Sequence, residues 1–146
     1  MPLPEMTARG ELPPGVHHAS LDEVAERFGG ESAERRRCTA TLRKIYDLAT
    51  TTGQLDRLVL FGSYLTDKPS PNDVDLILIM TPGFEPEDAP EGCRILFDPA
   101  RAQAEVGASV FWITEVNIIG MTPSEFIWGW QLTRENTLRG IVEIAR

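Results

Sequence analysis

The chemistry-bearing stretch of this chain is Leu58 to Met80, LVLFGSYLTDKPSPNDVDLILIM, in which a Gly62-Ser63 pair is followed after nine residues by Asp73 and Asp75. Gly62 stands where the chain leaves an apolar run, so the backbone can turn sharply there and a ligand can approach closely. Ser63 adds a hydroxyl and an N–H of the kind that holds phosphate oxygens. Asp73 and Asp75 open a second apolar run. At i and i+2 of a strand they share a face, about 6.6–6.8 Å apart along the chain. Two such carboxylates repel each other and resist desolvation. A divalent cation resolves that conflict, and Mg²⁺ characteristically takes one or two carboxylates together with substrate phosphates and waters. Two ions ~3.5–4 Å apart can clamp an in-line phosphoryl or nucleotidyl displacement. Lys68, between the two motifs, is either a point charge for a triphosphate or a solvated loop lysine. A purely structural reading makes Asn72-Asp73 a turn and Asp75 a strand-entrance residue, but two aspartates on one strand face need a reason.

The elements that must carry these residues are legible around them. Ser20 and Glu23 form a capping box opening a short helix, Leu21 to Phe28, ended by Gly29-Gly30. A second helix is expected from about Ser32 to Thr51, with Cys38, Leu42, Ile45 and Ala49 as its apolar face. Strands are expected at 57–61, 74–80, 109–114 and 139–144, with a shorter one at 94–97. Asp98-Pro99 opens a helix to about Val106, and Thr122-Pro123 with Glu125 opens another through Leu132. Residues 81–92, with three prolines and four acids, read as a surface loop. Residues 1–15, with four prolines, read as an extended arm, mobile or laid on the surface of a single domain spanning 16–146. The class is α/β (α+β): a small mixed sheet with helices packed on it.

Composition narrows the function. At 146 residues and 42% apolar content the chain can bury a core without staples. The net charge of −8 excludes a global positive sheath, so extended nucleic-acid binding is not expected unless a local patch supplies it. Cys38 and Cys93 stand alone, without metal-ligand spacing or a disulfide framework, as in a reducing compartment. No apolar stretch approaches the ~20 residues that span a bilayer, and the start of the chain lacks a signal-peptide core. A cytoplasmic domain is expected.

The apolar strand, Gly-Ser, gap and Asp-apolar-Asp resemble the nucleotidyltransferase superfamily, the DNA polymerase β-like fold. Gly62, Ser63, Asp73 and Asp75 match its signature position by position. More of the chain, LPPGVHHASLDEVAERFG at 12–29 and the closing RGIVEI, is similar to a small, functionally uncharacterised bacterial branch of it. The resemblance implies that Gly62 and Ser63 contact nucleotide phosphates and that Asp73 and Asp75 hold Mg²⁺. It also implies a third carboxylate at the start of a later strand, where this chain has Ser109. Glu115 is about 20 Å further along that strand; Glu105 and Asp98 are nearer, with no pattern behind them. The expected function is Mg²⁺-dependent transfer of a nucleoside monophosphate from a nucleoside triphosphate to an acceptor hydroxyl, weakened at Ser109. The alternative is a non-catalytic interaction or regulatory module. The resemblance further implies a protein partner, as in toxin–antitoxin-like pairs; a homo-oligomer is the other expectation.

The remaining candidates carry two readings each. Arg35-Arg36-Arg37, with Arg27, Arg43 and Lys44, is a phosphate or acidic-partner patch, or a solvated face paired with Glu31, Glu34 and Asp47. His17-His18 could suggest metal, but adjacent side chains diverge and no third ligand is spaced with them. Trp112 alternates into the core. Of Trp128 and Trp130, one is expected to be exposed, since i and i+2 do not share a helix face.

Overall fold

The computed structural model describes residues 3–30 and 32–145; the first two residues of the arm, Glu31 and Arg146 lie outside them. Five strands form one mixed sheet: β1 (Val16–Ser20), β2 (Leu55–Phe61), β3 (Val74–Met80), β4 (Ala108–Thr114) and β5 (Ile141–Ala145), in the order β1-β5-β2-β3-β4. The pairs β2–β3 and β2–β5 are antiparallel, whereas β1–β5 and β3–β4 are parallel.

The period of two sorts the strands between faces. Leu58, Leu60, Leu76, Leu78, Val110 and Val142 join the main core, together with Val24 and Phe28 of α1 (Leu21–Phe28) and Cys38, Leu42, Ile45 and Ala49 of α2 (Ala33–Thr51). Val59, Ile77, Ile79 and Ile141 point the other way and pack on Ile127 of α4 (Pro123–Trp128). The helical face is therefore covered along its length. The opposite, more open face is covered only in part by the 115–138 connection, and Asp73, Asp75 and Ser109 on it are partly buried. Among the described residues no helix is long and apolar enough to cross a membrane.

Several elements depart from the sequence reading. Residues 94–97 are not a strand but the end of a 3-10 stretch, Glu91–Phe97, which begins after Pro90 and buries Cys93, Leu96 and Phe97 against α2. Asp98 does cap a helix, yet α3 (Pro99–Arg101) is one turn that widens into a π-helical turn, Ala102–Val106, ended by Gly107 in the left-handed region. α4 stops at Trp128 and continues only as a 3-10 turn, Gly129–Gln131. The strand β1 is new: VHHAS carries no apolar alternation, because it is an edge strand whose pairing with β5 supplies the order. The arm is not loose over its described part. Leu12 is 1% exposed, its carbonyl accepts from Gly140, and Glu11 bridges to Thr66.

The basic cluster is also corrected. Arg35 belongs neither to a patch nor to a solvated face: it is 6% exposed. Its Nη1 donates to the carbonyls of Phe28 and Tyr64 (3.1 and 2.9 Å) and its Nη2 to those of Thr66 and Lys68 (2.5 Å each). Its neighbours on α2 grip the same loop. Ser32, which caps α2 by accepting from Arg35 N–H, donates to Pro69 O at 2.8 Å. Thr39 meets the Tyr64 hydroxyl at 2.6 Å, and the Cys38 thiol points at Pro71 O, 3.8 Å away. Arg35→Met strips four carbonyls of their donors and should lower the unfolding free energy by about 3–5 kcal/mol. Arg35→Lys should recover only part of that, since an ammonium has three donors and no planar fork. Urea unfolding of the two variants checks both expectations.

Candidate functional site

The site grows from the turn that ends β2. Gly62 has φ 87° and ψ −168°, a conformation essentially closed to residues with a Cβ. A Cβ placed there would also lie 2.1 Å from Asp75 Oδ2. The loop backbone is thus laid directly against a carboxylate, and only glycine permits it. Ser63–Leu65 follows as a 3-10 turn closed by Leu65 N–H to Gly62 O (3.2 Å) and Thr66 N–H to Ser63 O (3.1 Å). The first N–H groups of that turn, those of Ser63 and Tyr64, have no carbonyl partner within it.

Strand register brings the rest together. Asp75 pairs with Phe61 on β2 and with Ser109 on β4. Asp73 precedes β3 by one residue and lies on the same face as Asp75. The Ser109 hydroxyl lies 3.1 Å from both Asp73 Oδ2 and Gln103 Oε1. Its single proton is shared between the Asp73 and Asp75 carboxylates, the stronger acceptors, and a rotated Gln103 amide can donate to the hydroxyl in return. Burial first, and the Asp73 charge second, push the Asp75 carboxyl up from its ordinary 3.8 to about 6. The Ser109 hydroxyl and the Arg134 guanidinium pull it the other way.

Gly62, Ser63, Asp73, Asp75 and Ser109 therefore meet at one end of the open face. Lys68 joins them only through its loop: Arg35 holds its carbonyl, and its ammonium makes no ion pair among the described residues. None of the other acids considered reaches the pair. Glu105 is engaged by Arg101 at 2.9 Å, Asp98 caps α3, and Glu115 hydrogen-bonds Asp56 away from the site. His17 and His18 diverge, His17 to Pro13 O and His18 toward Glu143. Among the described residues no group of three or more His, Cys, Asp or Glu could hold a metal. Two carboxylates and a hydroxyl fit one hard cation whose remaining ligands come from phosphates and water.

Over residues 4–145 the sequence matches a family described as a family of unknown function, DUF6932. The chain belongs to that family. No curated protein and no solved structure matches it.

Two features of this DUF6932 member escaped the sequence. Arg134 lies on the 132–138 hairpin, closed by the Leu132–Leu138 bridge and by Thr133 N–H to Thr137 O (2.8 Å), and its charge acts on Asp75 from 59 positions away in the chain. The second is aromatic. Phe61, Phe111 and Trp130 stack at one another beside the carboxylates, with centroids 5.0–6.1 Å apart. No local pattern links these residues; only the sheet register and the return of the 115–138 connection do.

The raised Asp75 carboxyl fixes a pH dependence. Its folded pKa exceeds the unfolded one, so its favourable contribution is full below about pH 3.8 and is lost as pH rises through about 6. Ionised Asp75 is then a net burden on the metal-free fold. Asp75→Asn should raise the stability of that form by about 1 kcal/mol at pH 8, allowing for solvent screening, and leave it unchanged at pH 3.5. Thermal melts in chelator across this range check the sign.

Proposed function

We propose that this protein binds a nucleoside triphosphate with Mg²⁺ and transfers its nucleoside monophosphate to an acceptor hydroxyl. The observation that carries the reading is the contact of Gly62 with Asp75, which makes the phosphate-type turn and the carboxylate pair one continuous surface. The nucleotidyltransferase resemblance of Gly62, Ser63, Asp73 and Asp75 supports the same reading. In it, Ser63 and the turn N–H groups hold phosphate oxygens, and Arg134 faces the same charge as a cation better placed than Lys68. Asp73 and Asp75 would hold Mg²⁺, which supplies charge neutralisation at the phosphates. In the transfer the acceptor oxygen bonds to the α-phosphorus, the α–β bridging bond breaks, and pyrophosphate leaves. The hydroxyl proton needs a base, and no carboxylate of this site is free of the metal role to take it.

That gap gives a second reading its support. Ser109 sits in register with Asp75 where a third carboxylate would complete the site, and neither it nor Gln103 is an effective base. A non-catalytic nucleotide-binding module acting through a protein partner, as in a toxin–antitoxin-like pair, answers to that observation. A cytoplasmic location belongs to either reading.

Calorimetric titration with each nucleoside triphosphate, with and without Mg²⁺, tests the shared premise. Metal-dependent binding is expected, and it should fall below detection in Asp73→Asn/Asp75→Asn; no binding to the folded protein would overturn it. Labelled-nucleotide transfer then separates the readings. Ser109→Asp should lower metal-free stability through added repulsion and tighten Mg²⁺ binding. A transfer rate that rises in this variant marks the wild type as an attenuated enzyme, whereas no transfer in either form favours the module.

A further inference from the structure

On the open face, the aromatic residues next to the carboxylates have an unusual combination of exposure and support. Phe111 follows Ser109 by two positions on β4 and so shares its face, about 6.6–6.8 Å further along. It is 47% exposed, a high value for a phenylalanine on a strand. Its ring is braced by Trp130 (centroids 5.3 Å, 49°) and Phe61 (6.1 Å, 44°), which brace each other at 5.0 Å. Phe61 is the register partner of Asp75, so the rings begin where the carboxylates end. Trp130 is held in turn by Phe126 of α4 (6.2 Å, 68°).

A half-exposed ring set among rigid rings loses little freedom on binding and offers a π-face to a flat ligand. The neighbouring site, on the reading above, takes a triphosphate, and the ring stands about a ribose's reach from it. We infer that Phe111, braced by Phe61 and Trp130, is the nucleobase shelf of this site, and that it accepts any nucleobase with a modest preference for purines. The inference rests on the nucleotide reading and names what that reading leaves open. Its tolerance follows from the ring chemistry. Stacking needs only a π-face, which every base has, and of the three side chains only the Trp130 indole carries a hydrogen-bonding group. Purines present the larger ring area and gain more from it.

The other exposed large apolar side chains, Val116, Ile119, Met121, Trp128, Leu132 and Leu138, belong to the covering connection, and nothing beside them indicates an occupant. The rings differ because they border the carboxylate pair, which on the nucleotide reading takes a metal–triphosphate.

The test compares inorganic tripolyphosphate, ATP and CTP, each with Mg²⁺, on wild type and on Phe111→Leu, which keeps an apolar side chain and removes the π-face. Circular dichroism and thermal melts confirm that the variant is folded. Wild type should bind ATP roughly 5- to 150-fold more tightly than tripolyphosphate, the span set by one stacked base. CTP should fall between them. Phe111→Leu should bring ATP to within about threefold of tripolyphosphate while leaving tripolyphosphate itself unchanged. ATP, but not tripolyphosphate, should also quench the tryptophan fluorescence. Equal binding of ATP and tripolyphosphate in wild type, or an unaltered ATP affinity in Phe111→Leu, would overturn the shelf while leaving the phosphate site standing. An equal loss of both ligands in the variant would also overturn it, by showing a packing effect. Failure of all three ligands to bind wild type would overturn the nucleotide reading and the shelf with it.

Discussion

A guanidinium that is almost fully buried has to find acceptors for its N–H groups, and Arg35 finds them in backbone alone. Each of its four Nη hydrogens has a carbonyl: one at the end of α1 and three along residues 64–68. The charge lies over the Tyr64 ring, 5.8 Å from its centroid, and has no carboxylate partner among the described residues. Carbonyl dipoles are weaker counter-charges than a carboxylate, so the arrangement holds only if all of them stay aligned. That requirement sets the path of the loop from Gly62 to Asp73. A chain rich in Pro and Ser, with no regular structure after Leu65, is held by successive turns of α2 through Ser32, Arg35, Cys38 and Thr39. Ligand-binding loops usually come from the least stable parts of a fold. Here the loop is fastened to the core helix, which on the proposed reading preorganises Gly62 and Ser63 for their ligand.

The opposite side of the same turn carries stored electrostatic tension. Gly62 admits Asp75 so closely that the carboxylate is partly desolvated, and Asp73 adds its own charge. A fold selected for stability alone would place apolar residues at such positions, as β3 does at Leu76, Ile77, Leu78 and Ile79. Retaining two acids where one is driven toward neutrality is a local conflict of the kind that marks functional sites. On the proposed reading the two halves are complementary: a rigid backbone offers N–H groups to phosphate, and the carboxylate pair takes a cation.

How much of this was legible in the chain depended on distance in sequence. The capping boxes at Ser20 and Thr122, the cap at Ser32 and the apolar face of α2 are local patterns, and the structure has them where their spacing puts them. So are the apolar runs that become β2, β3 and β4, while the meeting of Gly62 with Asp75 lies within the single β2–β3 hairpin. RILF at 94–97 misleads because four apolar residues suit a buried 3-10 turn as well as a strand, and Pro90 decides between them. Arg35 is hidden within a run of three arginines, where only burial distinguishes it from Arg36 and Arg37. Its partners are up to 33 residues away. Arg134, Phe111 and Trp130 have no local signature at all. Their convergence needs the β3–β4 register and the return of the 115–138 connection, both non-local choices.

Charge arithmetic sharpens what the site can do on the proposed reading. Asp73 and Asp75 supply two negative charges when both are ionised, which balances one divalent cation. A second cation on the acceptor side would find only the Ser109 hydroxyl and the Gln103 amide, both neutral and both already engaged with each other. Hard cations need anionic oxygen to offset the loss of their hydration, so the second ion would depend on the ligand for its charge. The triphosphate end of a nucleotide can provide it, but the acceptor oxygen cannot until it is deprotonated. The asymmetry therefore favours holding a metal–nucleotide over activating the group that attacks it. A partner or an acceptor carrying its own carboxylate would remove the asymmetry, since it would bring to Ser109 the charge that this position lacks.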